Sequence, residues 1–255
     1  METTDFAART GAALVVGASG GLGAAIAALL LARGARVAAT HRRPDPARLT
    51  AMRTPDGTLR SYQLELTDAD ACARLVDTVM ADFGGLHTLV YAAGPHVPMV
   101  HLSRVAPEEF CSQLLADAAG FFNIAHPALP PLRAARGNIV AVTTAATTRF
   151  PVRDGLSAGP KGAVEALVRG LAAEEGRFGV RANCVGPGML TDGMAETLIG
   201  SGDLDERALE VTRANIPLRR FGSAADIAEA VCFLASDRAG FISGQKLDVD
   251  GGYGA

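Results

Sequence analysis

The sequence is poor in several residue types whose absence excludes whole classes of protein. Its four cysteines, Cys72, Cys111, Cys184 and Cys232, form no CxxC pair and lie in apolar stretches. That pattern argues against a disulfide framework or a zinc site. A net charge of −3 leaves no excess of basic residues for binding a nucleic-acid duplex.

Long apolar segments are also missing. The longest uncharged run, residues 11–32, is interrupted by glycine and serine, unlike a membrane-spanning helix. Residues 1–9 contain Glu2 and Asp5 and lack the apolar core of a secretion signal. We therefore expect a cytoplasmic protein with no metal, no nucleic-acid partner and no membrane partner.

The chain does have a large apolar fraction, 49% of its residues, arranged in alternating strand-like and helix-like runs. The strand candidates, mostly continuous apolar runs typical of strands buried on both faces, are residues 12–16, 36–40, 59–64, 88–91, 138–142, 180–185 and 246–249. This alternation predicts an α/β fold over residues 1–255: a single domain with a doubly wound parallel sheet of about seven strands and helices on both faces. Glycines interrupt residues 188–213, which we expect to form a substrate lid.

A glycine-rich turn follows the first strand. It reads Gly17-Ala18-Ser19-Gly20-Gly21-Leu22-Gly23 and runs into a strong helix former. Without Cβ atoms a pyrophosphate can approach the backbone, and the N–H groups at the helix start favour its negative charge. Gly17, Ser19, Gly21, Leu22 and Gly23 are therefore candidate dinucleotide ligands, although such a turn can also be purely structural.

The residues at the end of the second strand indicate which dinucleotide, NAD(H) or NADP(H), the fold would bind. An NAD-binding fold usually places an acidic residue there against the ribose 2′-hydroxyl, whereas this chain has His41, Arg42 and Arg43. Arginine binds phosphate through a planar fork of donors. The adenosine 2′-phosphate of NADP(H) is the predicted ligand, and the alternative is a pair of solvated loop arginines.

Motifs along nearly the whole chain resemble those of the classical-type short-chain dehydrogenase/reductase family. Gly17, Gly21 and Gly23 match its GxxxGxG, Tyr91-Ala92-Ala93-Gly94 stands where it has NNAG, and Pro187-Gly188 matches the PG after its sixth strand. Residues 216–222 and 244–252 resemble its closing segments. The resemblance implies a Rossmann-type fold, a small-molecule carbonyl substrate and a homotetramer or homodimer.

The resemblance also implies further cofactor contacts. By position these are Glu65, Leu66, Ala92, Ala93, Gly94, Pro187, Gly188 and Thr191. Glu65 stands where the family has an adenine-side aspartate. Thr191 is one residue away from the place of a threonine that contacts the nicotinamide amide.

Only part of the family's catalytic Asn–Ser–Tyr–Lys set is present. Lys161 matches the lysine, which in the family binds the cofactor ribose. Counting back from it gives Ser157 at the tyrosine position and Thr144 at the serine position, and Asp117 stands at the asparagine. A serine hydroxyl is much less acidic than a phenol, so Ser157 can hydrogen-bond a carbonyl but is a poor general acid.

Another proton donor is therefore needed for carbonyl reduction. His96, at the carboxyl end of the fourth strand, can titrate near neutral pH, and His101 is a weaker candidate in the same loop. Asp117 could act through a water chain if burial raised its pKa, or the substrate could supply its own acid. Asp154 is more simply a solvated loop acid, and Tyr91 is more simply a packing residue.

Three functions remain open on the sequence. The first is an NADPH-dependent ketoreductase, of the kind found in specialised metabolism, with a non-standard or substrate-assisted proton donor. The second keeps the fold but catalyses a non-redox dehydration, cyclisation or isomerisation. The third is a catalytically silent NADP-binding protein.

Overall fold

The structure, a computed structural model, describes residues 4–43, 47–52, 57–95, 97–191 and 206–255, with the side chains of residues 47 and 206–208 excepted. In this part of the chain seven strands form one sheet. The strands are β1 Ala12–Val16, β2 Val37–His41, β3 Leu59–Gln63, β4 Leu86–Tyr91, β5 Asn138–Val142, β6 Arg181–Pro187 and β7 Lys246–Val249. Their spatial order is β3-β2-β1-β4-β5-β6-β7, and every neighbouring pair is parallel.

This topology confirms the predicted Rossmann-type doubly wound sheet. β1, β5 and β7 have the predicted bounds, and the bounds of the other four strands differ by one or two residues, in part because the sheet pairing extends past the apolar runs. β2 reaches His41 and β6 reaches Pro187, neither of which belongs to a continuous apolar run. The sheet is buried on both sides, as the continuous runs of β1, β4 and β5 require.

Helices cover both faces of the sheet. The helices in the described residues are α1 Gly21–Ala32, α2 Ala47–Ala51, α3 Ala69–Phe83, α4 Pro107–Leu114, α5 Gly120–Ala135, α6 Gly155–Glu175, α7 Glu206–Asn215 and α8 Ala224–Ala235. Ile26 of α1 and Ile227 of α8 belong to the core on one face. Val79, Phe121 and Val164, from α3, α5 and α6, belong to the core on the other.

Local sequence signals fix where several helices begin and end. Asp68 caps α3 by accepting a hydrogen bond from Ala71 N at 2.9 Å, and Gly84 ends that helix with a left-handed φ of 74°. Ser223 and Asp226 form a capping box at the start of α8. None of the described helices is long and apolar enough to cross a membrane.

The parallel arrangement brings the ends of distant segments to one edge. The carboxyl ends of β1, β2, β4, β5 and β6 lead directly into Gly17, Arg42, Ala92, Thr143 and Gly188. The strand order reverses between β1 and β4, and open α/β sheets bind ligands at such a switch point. Of the lid predicted over residues 188–213, residues 192–205 lie outside the described residues; the part from Glu206 onward belongs to α7.

Candidate active site

A cleft of about 510 Å³ opens at the carboxyl ends of β1, β2, β3 and β4. Ten residues predicted to contact a cofactor line it: Gly17, Ser19, His41, Arg42, Arg43, Glu65, Leu66, Ala92, Ala93 and Gly94. The cleft is therefore built by four separate strand ends. In the described residues no group of three His, Cys, Asp or Glu side chains is arranged to hold a metal ion.

The glycine-rich turn lines the cleft with backbone that carries few side chains. Gly17 has a φ of +81°, and a Cβ atom there would lie 2.8 Å from Ala93 N, so only glycine fits between the turn and β4. A Cβ on Gly23 would lie 2.3 Å from Gly17 O. Helix α1 begins after Gly20, which offers no side-chain cap, so the first-turn N–H groups of Gly21, Leu22 and Gly23 have no helical acceptor ahead of them. This arrangement fits the pyrophosphate of a dinucleotide.

Two arginines stand at the mouth of the cleft, directly after β2. Both residues are exposed, and within the described residues neither guanidinium forms an ion pair or hydrogen bond. Their backbone is held in place, because Gln63 Nε2 donates to Arg42 O at 3.0 Å and His41 Nδ1 lies 2.7 Å from Arg43 O. The two guanidiniums are therefore positively charged groups available to an anionic ligand.

Glu65 and Leu66, which follow β3, also line the cleft. Glu65 Oε1 accepts hydrogen bonds from Thr67 N at 3.3 Å and from Thr67 Oγ1 at 3.1 Å. Leu66 O accepts a hydrogen bond from Asn123 Nδ2 at 2.9 Å, which ties this part of the cleft to α5. Both residues are thus held in place by hydrogen bonds.

Lys161 joins three elements behind Ala93 and Gly94, which line the cleft, and we call this region around Lys161 the inner end of the cleft. Its Nζ lies 3.1 Å from Ala93 O after β4, 3.1 Å from Asp117 Oδ1, and 3.5 Å from Val142 O at the end of β5. A Cβ on Gly94 would come within 3.1 Å of the same Nζ. An ammonium has three hydrogens, and each already has an acceptor here. A ribose hydroxyl would have to replace one of them, and the contact to Val142 O is the longest.

Asp117 forms a buried ion pair with Lys161. It lies in a single π-helical turn, Leu115–Ala119, between α4 and α5, and only 5% of its side chain is exposed. The Tyr91 hydroxyl donates to Asp117 O at 2.9 Å and lies 3.3 Å from Oδ1. The Tyr91 side chain is fully buried. Burial and the neighbouring Asp117 raise its pKa well above the ordinary value, so the phenol stays neutral and holds Asp117 rather than a ligand.

Thr144 and Ser157 stand on neighbouring elements. Thr144 Oγ1 accepts a hydrogen bond from Ala146 N at 3.1 Å, which leaves its own hydroxyl hydrogen free to donate. Ser157 lies in the first turn of α6, one turn before Lys161, and its N–H donates to Asp154 O at 3.1 Å. The Thr144 hydroxyl thus lies just after β5, and the Ser157 hydroxyl lies one helical turn before Lys161.

Other predicted site residues make backbone contacts. Gly188 follows Pro187 at the end of β6, and its N–H donates to Val249 O at 3.0 Å. Thr191 donates to Gly222 O from both its N–H, at 2.9 Å, and its hydroxyl, at 3.3 Å. His96 lies outside the described residues, so its role stays a prediction.

Asp154 is not the solvated loop acid that its sequence position suggests. The loop before α4 contacts the residues on either side of it: Val100 N donates to Arg153 O at 3.1 Å, and the side chain of Leu102 fills the space beside Gly155. The resulting burial raises the pKa of Asp154 to about 6 from an ordinary value of 3.8. The only sequence signal for this residue is its spacing from Ser157 and Lys161.

Comparison with known proteins gives consistent matches. A family model described as enoyl-(acyl carrier protein) reductase matches residues 17–254. A versicolorin reductase of Emericella nidulans is 33% identical over 249 residues, which cover 94% of this chain and 94% of that protein. A 3-oxoacyl-(acyl-carrier-protein) reductase of Staphylococcus aureus is 32% identical over 247 residues, which cover 95% of this chain and 98% of that protein.

A solved structure extends the similarity to three dimensions. A short-chain type dehydrogenase/reductase from Mycobacterium ulcerans matches with a TM-score of 0.90 and 28% identity, covering 98% of this chain and 91% of that one. The glycine turn and the cleft described above lie within the matched region. The chain belongs to the classical-type short-chain dehydrogenase/reductase family, whose oxidoreductases use nicotinamide cofactors.

Proposed function

We propose that the protein is an NADPH-dependent ketoreductase that reduces a small-molecule carbonyl compound, with a proton donor other than tyrosine. The names of its relatives, versicolorin reductase and 3-oxoacyl-(acyl-carrier-protein) reductase, support carbonyl reduction. The specialised metabolite in the first name favours a substrate of that kind. Ser157 at the tyrosine position supports the second part of the proposal.

The choice of NADPH depends on one observation. Arg42 and Arg43 stand exposed at the mouth of the cleft, with no carboxylate bound to either guanidinium in the described residues. A 2′-phosphate placed between them would gain charge-assisted hydrogen bonds that the 2′-hydroxyl of NADH does not offer. Glu65 and Leu66 would then face the adenine, and the first turn of α1 the pyrophosphate.

At the inner end, the chain's own groups would orient the carbonyl. When bound, NADPH supplies the hydride that reduces the carbonyl carbon. The free hydroxyl hydrogen of Thr144 would donate to the carbonyl oxygen, and the Ser157 hydroxyl would do the same. Lys161, held by Asp117, would place a positive charge next to the developing alkoxide and the ribose. The hydroxyl groups of Thr144 and Ser157 are not acidic enough to replace the phenol, and a missing general acid typically costs about 10²–10⁴ in rate.

The turnover experiment separates the three functions left open by the sequence. Purified protein is incubated with NADPH and, in turn, with 2,3-butanedione, ethyl acetoacetate and α-tetralone. We expect loss of the near-ultraviolet absorbance of NADPH together with formation of the alcohol. Product formed without NADPH oxidation would favour non-redox chemistry, and NADPH binding without any product would favour a silent binding protein.

The proposal includes the assembly of the chain and its lid. Leu115, Phe122 and Phe178 expose 61%, 46% and 38% of their surface, and they lie on the helical segments 109–125 and 160–178, which we propose as the subunit interfaces. These apolar side chains favour a homotetramer or homodimer. Light scattering after size exclusion measures the mass directly. Residues 188–213 are the proposed substrate lid of this single-domain, cytoplasmic enzyme.

A further inference from the structure

Asp154 shares a helix face with two groups of the candidate site. It directly precedes α6, with φ −94° and ψ 17°, and stands three residues before Ser157 and seven before Lys161. Positions i, i+3 and i+7 lie on one side of an α-helix. Lys161 on that side contacts Ala93 O and Val142 O at the carboxyl ends of β4 and β5. Asp154 therefore stands at the start of the side of α6 from which Lys161 reaches the ends of β4 and β5.

Asp154 is half-buried, and its carboxyl group has no bonding partner among the described residues. In the described residues it forms no ion pair and no side-chain hydrogen bond, and it does not cap α6. Charged or titratable residues of the neighbouring segments are Arg153, next to it in the chain, His101 and Arg104 in the loop that contacts Arg153 and Gly155, and Lys161 two turns further along α6. Burial is the sole cause of its raised pKa, about 6, so no nearby charge holds the group in its ionised form.

We propose that Asp154 is the general acid of the carbonyl reduction, in place of the missing tyrosine; this inference rests on the proposed function. The carbonyl carbon accepts the hydride of bound NADPH, which leaves as NADP⁺. The electron pair of the C=O π bond moves to oxygen, which takes the carboxyl proton of Asp154. The remaining carboxylate regains a proton from water. A general acid works best when its pKa lies near the operating pH.

Asp154→Asn tests this role with little change in shape. With NADPH and the fastest of the three carbonyl probes, kcat should fall about 10²–10⁴-fold. The affinity for NADPH should stay within about twofold, because the proton donor does not hold the cofactor. Asp154→Glu should restore part of kcat. The matched control is Asp70→Asn, an exposed acid in the first turn of α3, which should leave kcat unchanged.

The pH dependence gives a readout that a merely structural role would not move. In the wild-type protein kcat should fall by about tenfold per pH unit above about pH 6, because the acid must be protonated to act. The residual kcat of Asp154→Asn should lack this decrease. Asp70→Asn should retain it.

A titration without cofactor measures the acid directly. Carbon-13 NMR of protein labelled at aspartate carboxyls should show one resonance that titrates near pH 6 and is missing in Asp154→Asn. If the asparagine variant does not fold, Asp154→Glu assigns the resonance instead, because it also lacks the Asp154 carboxyl signal. An ordinary aspartate pKa for this resonance, or full kcat in Asp154→Asn, would overturn the role of Asp154 alone. A wild-type protein that reduces none of the probes would overturn the proposed reduction and this role together.

Discussion

The two ends of the cleft are built by different means. At the outer end, backbone N–H groups and glycines that leave no room for a Cβ surround the space, and two exposed arginines supply charge. At the inner end, buried side chains dominate: Lys161 is held by Asp117, which is held in turn by Tyr91. The outer end resembles the family's motifs, whereas for the inner end the same resemblance predicts departures at the tyrosine, serine and asparagine positions.

This difference separates cofactor binding from proton transfer. A backbone cradle binds the dinucleotide whatever side chains stand near the nicotinamide, so Ser157 can replace a tyrosine without loss of the cofactor site. Proton transfer depends on one group with the right acidity in the right place. The proposed function therefore combines the family's cofactor with another acid, and the following variants test the two ends separately.

Lys161→Ala should have the largest effect, because it changes stability, NADPH binding and reduction together. It leaves the Asp117 carboxylate buried without its partner, which typically costs about 3–5 kcal/mol of unfolding free energy. We also expect weaker NADPH binding and no measurable reduction. Urea unfolding followed by circular dichroism measures the stability, since the chain has no tryptophan.

The double variant Lys161→Met with Asp117→Asn is the matching control. It removes both charges of the buried pair, so most of the lost stability should return. Reduction should stay absent. Equal instability of the single and double variants would show that the ion pair is not what stabilises this region.

His87 should make folding sensitive to acid at the other end of β4, away from the cleft. It is 2% exposed and stacks on Phe6. Burial chiefly, helped by Arg9 and opposed by Asp237, lowers its pKa from 6.5 to about 4. Between these values the unfolded chain binds a proton that the folded protein does not. The contribution of His87 to the free energy of unfolding is therefore fully present above pH 6.5. It is lost as the pH falls toward 4, by about 3 kcal/mol in all.

His87→Phe keeps an aromatic ring beside Phe6 and removes this titration. Urea unfolding between pH 6.5 and pH 4 should show that His87→Phe loses less stability, or gains more, than the wild-type protein as the pH falls. Asp154 acts in the opposite direction, because a raised carboxyl pKa lowers stability as pH rises toward about 6. An unchanged slope in His87→Phe would assign the acid sensitivity to other groups.

Ser157→Ala should have the smallest effect. Loss of one hydrogen bond to the carbonyl oxygen lowers kcat by about two- to tenfold, far less than loss of the general acid. Ser157→Tyr adds the phenol back, and strong reduction of α-tetralone by this variant would indicate that the family's hydride geometry is retained. An inactive but folded Ser157→Ala protein would instead make the serine the main proton donor.

The sequence predicted more of the outer end of the cleft than of the inner end. Alternating apolar runs predicted the sheet, and the motifs predicted the family; both are confirmed. The glycine turn and arginines are local signals, so their placement in one cleft follows from strand topology. Local patterns could not predict the burial of Asp154, because it depends on a loop about fifty residues earlier in the chain. They also could not predict that Tyr91 binds Asp117.

Equilibrium titration of the purified protein with NADPH and NADH tests the central claim most directly. Arg42 and Arg43 should make NADPH bind about 10–100-fold more tightly, as expected for hydrogen bonds from charged groups. Arg42→Ala with Arg43→Ala should remove that difference and leave the affinity for NADH unchanged. Equal affinities of the wild-type protein for the two nucleotides, or no binding of either, would contradict the account.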